Sequence, residues 1–351
     1  MDRPRRDLAR TAGVAAAALL ALLVAGRLTR SGLAPAGPET PAASATTATT
    51  AAQRSPVVAS VDVGPGPPGR LAFGAGAVWA VGDAGTVARI DPATNRVATT
   101  IRVAGRAAGA RSVTVGAGAV WVAVASPGML VRVDPATNQV TATVPLGRPL
   151  HDPVGVVTAG GAVWVVCCGQ EAAGRPGGKL LRVDPGTLRV TPVALPREPL
   201  GIAADDRQVW VSATDGSVVL IDPTAGRVVR VDQDQREGGA AQGVAVGAGA
   251  VWLAYPGGGL VARVDPEAPA EGRAVPVDAA TIVTVGGGMV WVVAGNDQGV
   301  VAIDPGTPAV VRGFPLTAVR DVRALVYGAG SLWAAQGSSR VLRVDPSRLE
   351  P

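Results

Sequence analysis

Three acidic residues of this chain each lie twelve positions before a tryptophan. They are Asp152, Glu198 and Asp321. Basic, imidazole and amide side chains lie at neighbouring positions: Arg111, His151, Arg197, Gln242, Arg320 and Arg323. Carboxylate, guanidinium and amide groups together can hold a small polar ligand or a partner's peptide through charge-assisted hydrogen bonds. We therefore treat these nine residues as a candidate binding ring. The alternative is that they are solvated loop ends.

His151 is the only histidine, and it stands next to Asp152. An imidazole oriented by a carboxylate could act as a general base, and the alternative is an ordinary loop contact. A single histidine excludes a metal site built on several histidines, whereas an oxygen-only Ca²⁺ site would need none. Asp232, Asp234 and Glu237 alternate as calcium ligands do, but the segment lacks the glycine and the distal glutamate of a complete calcium loop. This favours a solvated loop.

Cys167 and Cys168 are adjacent in the sequence. Neighbouring Cα atoms lie about 3.8 Å apart across a trans peptide, closer than the roughly 4.4 to 6.8 Å usual for disulfides. Two ordinary thiols are therefore favoured. A strained bridge between them, formed in an oxidising compartment, is the alternative.

The elements that must position these residues repeat along the chain from residue 64 onward. All seven tryptophans occupy one place in the repeat: Trp79, Trp121, Trp164, Trp210, Trp252, Trp291 and Trp333. Each is followed 12 to 20 residues later by an Asp-Pro pair. The intervals between tryptophans run from 39 to 46 residues, which is typical of a repeated four-stranded unit.

One repeat, residues 112–146, resolves into four strands: SVTV, AVWVAV, MLVRV and QVTATV. A Gly-Ala-Gly turn separates the first two strands, and we expect its glycines to supply the backbone freedom of a tight hairpin. An Asp-Pro turn separates the last two, with Asp capping the turn and Pro fixing φ. Seven such units predict an all-β protein, a seven-bladed β-propeller of antiparallel blades.

The second strands are apolar on both faces, as in AVWVAV, which predicts sheets stacked face to face. We interpret the tryptophans as wedges between neighbouring sheets and not as platforms for a ligand. The seventh unit lacks a fourth strand, whereas residues 57–63 resemble one. We expect this N-terminal segment to complete the last blade beside residues 340–344, which removes an open sheet edge.

The repeats resemble the YVTN or YncE-like β-propeller family in VW-V and in RVDPATNQV or RIDPATNRV. The resemblance covers residues 57–351 and implies a propeller, with binding proteins, scaffolds and a few enzymes as family members. It extends more distantly to streptogramin (virginiamycin B) lyases, whose chemistry relies on histidine, acidic residues and Mg²⁺. Here that chemistry would need His151 with Glu198 or Asp321, and lactonase-like propellers would likewise need a divalent metal, Mg²⁺ or Ca²⁺.

The two ends of such a ring differ in sequence. The first and third turns of every blade lie on one end, the turn face, and they are nearly uniform. The second turns and the crossovers between blades lie on the other end, the variable face, where length and composition change from blade to blade. Loops that need not keep a common geometry are available for recognition.

No nucleophile, base and orienting group occur at a known spacing in the sequence. We therefore predict a non-catalytic binding or scaffold protein without a cofactor, acting as a monomer on a small ligand or an envelope protein.

Net charge argues against one class of partner. The chain carries +5 overall, but the first 54 residues hold seven arginines against three acidic residues. The remainder has 25 basic and 24 acidic residues, so the predicted propeller lacks the basic field that nucleic-acid binding uses.

The N-terminal residues 1–26 have the order of an export signal, with arginines followed by an apolar run over 12–26, which we expect to form a single apolar helix. This run is short for a membrane helix and long for a cleaved signal core, so a signal anchor and a secreted product are both open. The RRDLAR segment leaves Sec and twin-arginine export open as well. Residues 27–56 are rich in Pro, Ala and Thr and predict a disordered linker. The expected location is the cell membrane, with an extracytoplasmic propeller over 57–351.

Overall fold

The computed structural model describes residues 55–106, 108–147, 152–168, 178–233, 239–268, 272–295, 299–314 and 321–349. All of them belong to one of the two units into which the chain divides, Gln53–Pro351. The predicted apolar helix over 12–26 and nearly all of the predicted linker lie outside the described residues. The described part of the chain contains no helix that is long and apolar enough to cross a membrane.

The described residues form seven antiparallel sheets of four strands, which confirms the predicted seven-bladed propeller. The innermost strands of blades 1 to 7 are β2 (Pro68–Gly74), β6 (Ala110–Gly116), β10 (Asp152–Ala159), β14 (Pro199–Ala204), β18 (Gly243–Gly247), β22 (Ile282–Gly286) and β26 (Val322–Gly328). The second strands are β3 (Ala77–Gly82), β7 (Ala119–Val124), β11 (Ala162–Cys168), β15 (Val209–Ala213), β19 (Ala250–Tyr255), β23 (Met289–Ala294) and β27 (Ser331–Gln336).

The third strands are β4 (Thr86–Asp91), β8 (Met129–Asp134), β12 (Lys179–Val183), β16 (Ser217–Asp222), β20 (Leu260–Val264), β24 (Gly299–Asp304) and β28 (Arg340–Val344). The outer strands of blades 1 to 6 are β5 (Arg96–Arg102), β9 (Gln139–Pro145), β13 (Val190–Val193), β17 (Arg227–Gln233), β21 (Arg273–Pro276) and β25 (Ala309–Phe314). The outer strand of blade 7 is β1 (Val57–Asp62), and a 3₁₀ helix, Pro346–Arg348, follows β28.

In blade 7 the two ends of the described chain meet. Strand β1 runs antiparallel to β28, with Val57 opposite Val344 and Asp62 opposite Arg340. The backbone N–H of Asp345 also donates to the carbonyl of Pro56 at 2.8 Å. The first described strand is therefore hydrogen-bonded to the last.

The core consists of seven apolar clusters, one at each interface between blades. Each cluster contains one tryptophan together with second-strand residues of the following blade: Trp79 packs with Val120 and Val122, and Trp333 packs with Val78 and Ala80. All seven tryptophans are buried, which confirms their interpretation as wedges between sheets. Removing a side chain of this size from a core costs about 3 to 5 kcal/mol.

The indole N–H of each tryptophan is also satisfied. In six blades it donates to the backbone carbonyl five residues upstream, as Trp79 does to Gly74 at 3.1 Å. In blade 4 the indole of Trp210 donates instead to the side-chain Oε1 of Gln208 at 3.0 Å. A buried donor costs free energy when it is left unpaired, so this contact matters for blade 4.

The Gly-Ala-Gly turns work differently from the expectation. In blade 1 the two residues with left-handed backbone conformation are Ala75 (φ 48°) and Gly76 (φ 70°), so only one of the two is a glycine. The preceding glycine, Gly74, instead permits close contact between blades. A Cβ placed there would lie 2.6 Å from Val115 Cβ of blade 2. The same close approach recurs at Gly116, Gly247, Gly286 and Gly328.

The Asp-Pro turns behave as predicted. Each aspartate accepts a hydrogen bond from a backbone N–H two residues later, as Asp134 Oδ1 does from Ala136 at 2.8 Å. Such bonds lower the pKa of six of these carboxyl groups from the ordinary 3.8, with the Ser347 hydroxyl as the largest cause for one of them. The six are Asp91, Asp134, Asp184, Asp222, Asp304 and Asp345.

In blades 1, 2 and 7 an arginine two residues before the aspartate links neighbouring blades. Arg89 stacks 5.4 Å from the ring centroid of its own Trp79, and its Nη1 donates to the Pro135 carbonyl of blade 2. Arg132 bonds in the same way to the turn of blade 3. Arg343 of blade 7 donates to Pro92 of blade 1, so this interface of the ring has the same clamp.

Blade 4 has Leu220 at this position, yet the clamp is present. Arg230, the residue opposite Leu220 on the outer strand, stacks 5.7 Å from the Trp210 centroid and donates to the Pro266 carbonyl of blade 5 at 3.2 Å. Its Nε also pairs with Asp232 Oδ2 at 2.7 Å. One of the three residues considered as calcium ligands is therefore an ion-pair partner, and the other two, Asp234 and Glu237, lie outside the described residues.

Candidate ligand-binding channel

The seven innermost strands surround a cavity of about 510 Å³ on the variable face of the ring. This volume lies within the range of roughly 300 to 1,000 Å³ that is usual for small-molecule pockets. Five polar side chains line it: Arg70, Ser112, Gln242, Thr281 and Arg323. The other described lining residues are glycine or apolar. A few polar side chains among glycine and apolar residues are a usual composition for a ligand site.

A β-bulge sets the mouth of this channel in five blades. The register between the first and second strands shifts at one position, which leaves one extra residue on the inner strand. The extra residues are Gly69, Arg111, Val154, Leu200 and Arg323. Each lies ten residues before the tryptophan of its blade, and Gln242 and Thr281 hold that position in blades 5 and 6. Because a bulge redirects a side chain, this position lines the channel in blades 3 to 7, whereas in blades 1 and 2 the next residues, Arg70 and Ser112, line it.

Of the nine residues in the predicted binding ring, the structure places Gln242 and Arg323 in the wall of the cavity. Arg111 is exposed on the bulge of blade 2, next to Ser112, but is not among the lining residues. His151 and Arg320 lie outside the described residues. Asp152 begins β10, and its side chain is not among those described.

Two predicted residues interact within or beside their own blade. Arg197 forms an ion pair with Asp215, which follows the second strand of blade 4. The pKa of Asp215 is lowered: desolvation would raise it, but hydrogen bonds from Ser217 and Arg197 outweigh that effect. Glu198 is half-buried, and its backbone carbonyl accepts from the Thr214 N–H at 3.0 Å. Of these two residues, Arg197 already has a carboxylate partner, Asp215, within its own blade.

Asp321 and Arg323 form a loose pair at the channel mouth. Their Nη2 and Oδ2 atoms are 3.4 Å apart, with side-chain exposures of 47% for Arg323 and 62% for Asp321. Exposed pairs of this kind contribute little stability, about 0 to 1 kcal/mol. The Gly337 N–H donates to the Asp321 carbonyl at 2.9 Å, and a Cβ on Gly337 would lie 2.6 Å from Asp321 Cγ. The glycine therefore leaves room for this carboxylate.

Sequence reasoning missed Arg70, the second arginine of the cavity. It lies nine residues before Trp79, where the other blades carry Ser, Gly, Ile or Ala. Its side chain is exposed to the channel, yet desolvation by the surrounding protein lowers the pKa of its guanidinium. The group stays protonated at neutral pH, because arginine titrates far above 7. The sequence signal that could have identified Arg70 is that it is the only charged residue at this position of the repeat.

The acidic side chains of the described residues do not gather into a metal centre. No three of their His, Cys, Asp or Glu groups lie close enough together to hold a metal ion. Cys167 is buried on β11, and the side chain of Cys168 is not among those described.

Comparisons with known proteins agree with the architecture. Residues 72–194 match a family model described as a repeat of unknown function (DUF6923). A search of curated proteins found no match. Among solved structures, the chain is similar to hydrazine synthase from Kuenenia stuttgartiensis, with a TM-score of 0.64 and 14% identity over 81% of this chain and 97% of that chain. At that identity the likeness concerns the fold alone.

Proposed function

We propose that this protein is a binding β-propeller that takes a small ligand, or a segment of an envelope protein, into the channel on its variable face. The observation that carries the proposal is the channel itself: a cavity of about 510 Å³ lined by residues of all seven blades, with five polar side chains among glycine and apolar residues. The turn face supports this choice of side. Its Gly-Ala-Gly and Asp-Pro turns are engaged in contacts between and within blades.

Several finer features belong to the same proposal. The protein belongs with the YVTN or YncE-like propellers, which its VW-V and RVDPATNQV segments support. The ring acts as a monomer. It is closed by its N-terminal strand, which the pairing of β1 with β28 supports. The apolar run over 12–26 forms a signal anchor, with 27–56 as a linker outside the membrane. The order of arginines and apolar residues supports that arrangement.

The test is ligand capture by the full-length protein in lipid nanodiscs. The protein is incubated with the small-molecule fraction of a cell extract, and bound masses are read by native mass spectrometry. Leu200→Trp fills the channel from a mouth position, whereas Val140→Trp adds the same bulk to an exposed outer strand. We expect Leu200→Trp alone to abolish capture. Capture that survives Leu200→Trp would overturn the channel proposal.

The same experiment separates binding from catalysis. A captured molecule that leaves unchanged supports a binding protein. Turnover together with stoichiometric Mg²⁺ or Ca²⁺, lost in Glu198→Gln, would instead indicate the metal-dependent lyase or lactonase chemistry of other propellers. Capture of a protein segment that Leu200→Trp blocks would indicate a docking scaffold.

A further inference from the structure

The polar side chains of the channel are not evenly distributed around the ring. Arg70 comes from blade 1 and Arg323 from blade 7, and the inner strands of these two blades are neighbours. Among the described lining residues none is acidic. Both positive charges of the wall therefore lie in one sector, which we call the cationic sector.

The channel wall on the other side of the ring, opposite the cationic sector, is uncharged and apolar in residue type. Blades 3 and 4 contribute Val154, Val156, Leu200 and Ile202, together with glycine at the position that corresponds to Arg70. Blades 5 and 6 lie between the two sectors, and there Gln242 and Thr281 offer an amide and a hydroxyl. The channel is thus amphipathic across its width.

Arg70 has no counter-charge within the described structure. No hydrogen bond or ion pair joins it to a described residue, and desolvation is the cause of its pKa shift. Arg323 has only the exposed contact of 3.4 Å with Asp321. A cation partly withdrawn from water is stabilised by an anion that can form charge-assisted hydrogen bonds with it.

We propose that the ligand is a small amphipathic organic anion, with its carboxylate or phosphate group on Arg70 and Arg323 and its apolar part against blades 3 and 4. This inference rests on the proposed function and specifies the chemical class of the ligand. Arginine suits the role because its planar guanidinium can donate two parallel hydrogen bonds to a carboxylate or a phosphate. The Gln242 amide can donate a further hydrogen bond to the anionic group, whereas the Thr281 hydroxyl already donates to the Val293 carbonyl at 3.4 Å.

The inference can be tested with probes that share one aromatic ring and differ in the attached group: benzoate, phenyl phosphate, benzyl alcohol and benzylamine, with inorganic phosphate as the probe without an apolar part. Binding to the full-length protein in nanodiscs is measured by calorimetry. We expect benzoate and phenyl phosphate to bind more tightly than the neutral and cationic probes. Inorganic phosphate should bind more weakly than phenyl phosphate, because it cannot use the apolar wall.

Arg70→Gln should weaken binding of the two aromatic anions by roughly tenfold to a hundredfold, the loss expected for a hydrogen bond to a charged group. It should leave benzyl alcohol unchanged. The matched control is Arg96→Gln, which removes the same charge from an exposed position on the outer strand β5. Thermal melting of each variant verifies that the ring is intact.

The outcomes distinguish this inference from the proposed function. Benzyl alcohol or benzylamine binding as tightly as benzoate, Arg70→Gln without effect on the anions, or no binding by any probe would overturn the anion inference. If ligand capture in the extract experiment is still blocked by Leu200→Trp, the channel proposal survives that result. Capture insensitive to Leu200→Trp would overturn both.

Discussion

The close contact between neighbouring blades can be tested at Gly116. A Cβ on Gly116 would lie 2.9 Å from Thr158 Cβ in blade 3 and closer still to its Oγ1. Real Cβ atoms essentially never approach heavy atoms within 3.0 Å, so blades 2 and 3 must move apart or Thr158 must shift. Overpacking of this kind costs about 1 to 3 kcal/mol, and we expect Gly116→Ala to destabilise the propeller by that amount.

Thr158→Ala removes Oγ1 and Cγ2 and leaves the Cβ contact of 2.9 Å, which is just inside the 3.0 Å limit and requires only a small shift. In that background Gly116→Ala should therefore cost at least 1 kcal/mol less, as a double-mutant cycle would show. Gly118→Ala in the same turn is the matched control. Gly118 has φ of 74° and nothing within 4 Å of an added Cβ, so its cost of about 1 to 2 kcal/mol reflects backbone strain alone.

The assay is reversible denaturant unfolding of the full-length protein, supported by thermal melting, where roughly 2 °C accompanies each kcal/mol in a large domain. The Gly118→Ala cost should be the same with Thr158 or Ala at position 158. An equal Gly116→Ala cost in both backgrounds, or no cost in either, would refute the argument that glycine is required here by the distance between blades.

Four further predictions concern other contacts. Arg343→Met should destabilise by about 1 to 3 kcal/mol in denaturant unfolding, since it loses charged hydrogen bonds to blade 1, whereas Arg340→Met on the same strand should be nearly neutral. Gln208→Leu should cost about 1 to 3 kcal/mol in the same assay by leaving the blade-4 indole N–H without an acceptor. Ser212→Ala should stabilise by about 1 kcal/mol, because the buried Ser212 hydroxyl has no described partner; a lower melting temperature would contradict this. Stability should fall as the pH drops below about 4, because the turn aspartates have lower pKa values in the folded state: their contribution is present above the unfolded pKa and is lost as the pH falls through the folded pKa. Melting temperatures measured from neutral to acidic pH should show this, and Asp134→Asn should reduce the slope.

The number of blades could be predicted because large residues recur at a fixed place. Every interface needs one wedge, so Trp79 and its six counterparts mark the interfaces directly, and the Asp-Pro pairs mark the third turns. The role of the glycine before each turn could not be predicted in the same way. Close approach between blades at Gly74 is a property of two separate repeats, and a single repeat does not contain it.

The candidate site was predicted only in part. Counting twelve residues back from each tryptophan found Glu198 and Asp321, whereas the polar side chains of the channel lie nine or ten residues back. The difference arises from the β-bulge, which a pattern of alternating residues does not show. Arg70 could not be singled out because its neighbours in sequence are ordinary strand residues, and its separation from the carboxylates of the described residues exists only in three dimensions.

The exchange of Leu220 and Arg230 bears on how such repeats are compared. When the repeats are aligned position by position, blade 4 has a leucine where other blades have an arginine. The space between blades 4 and 5 still contains a guanidinium group, which the adjacent outer strand supplies. The family match ends at residue 194, before this blade begins. A comparison that scores pairs of facing positions, and not single positions, would recognise blade 4 as equivalent to blades 1, 2 and 7.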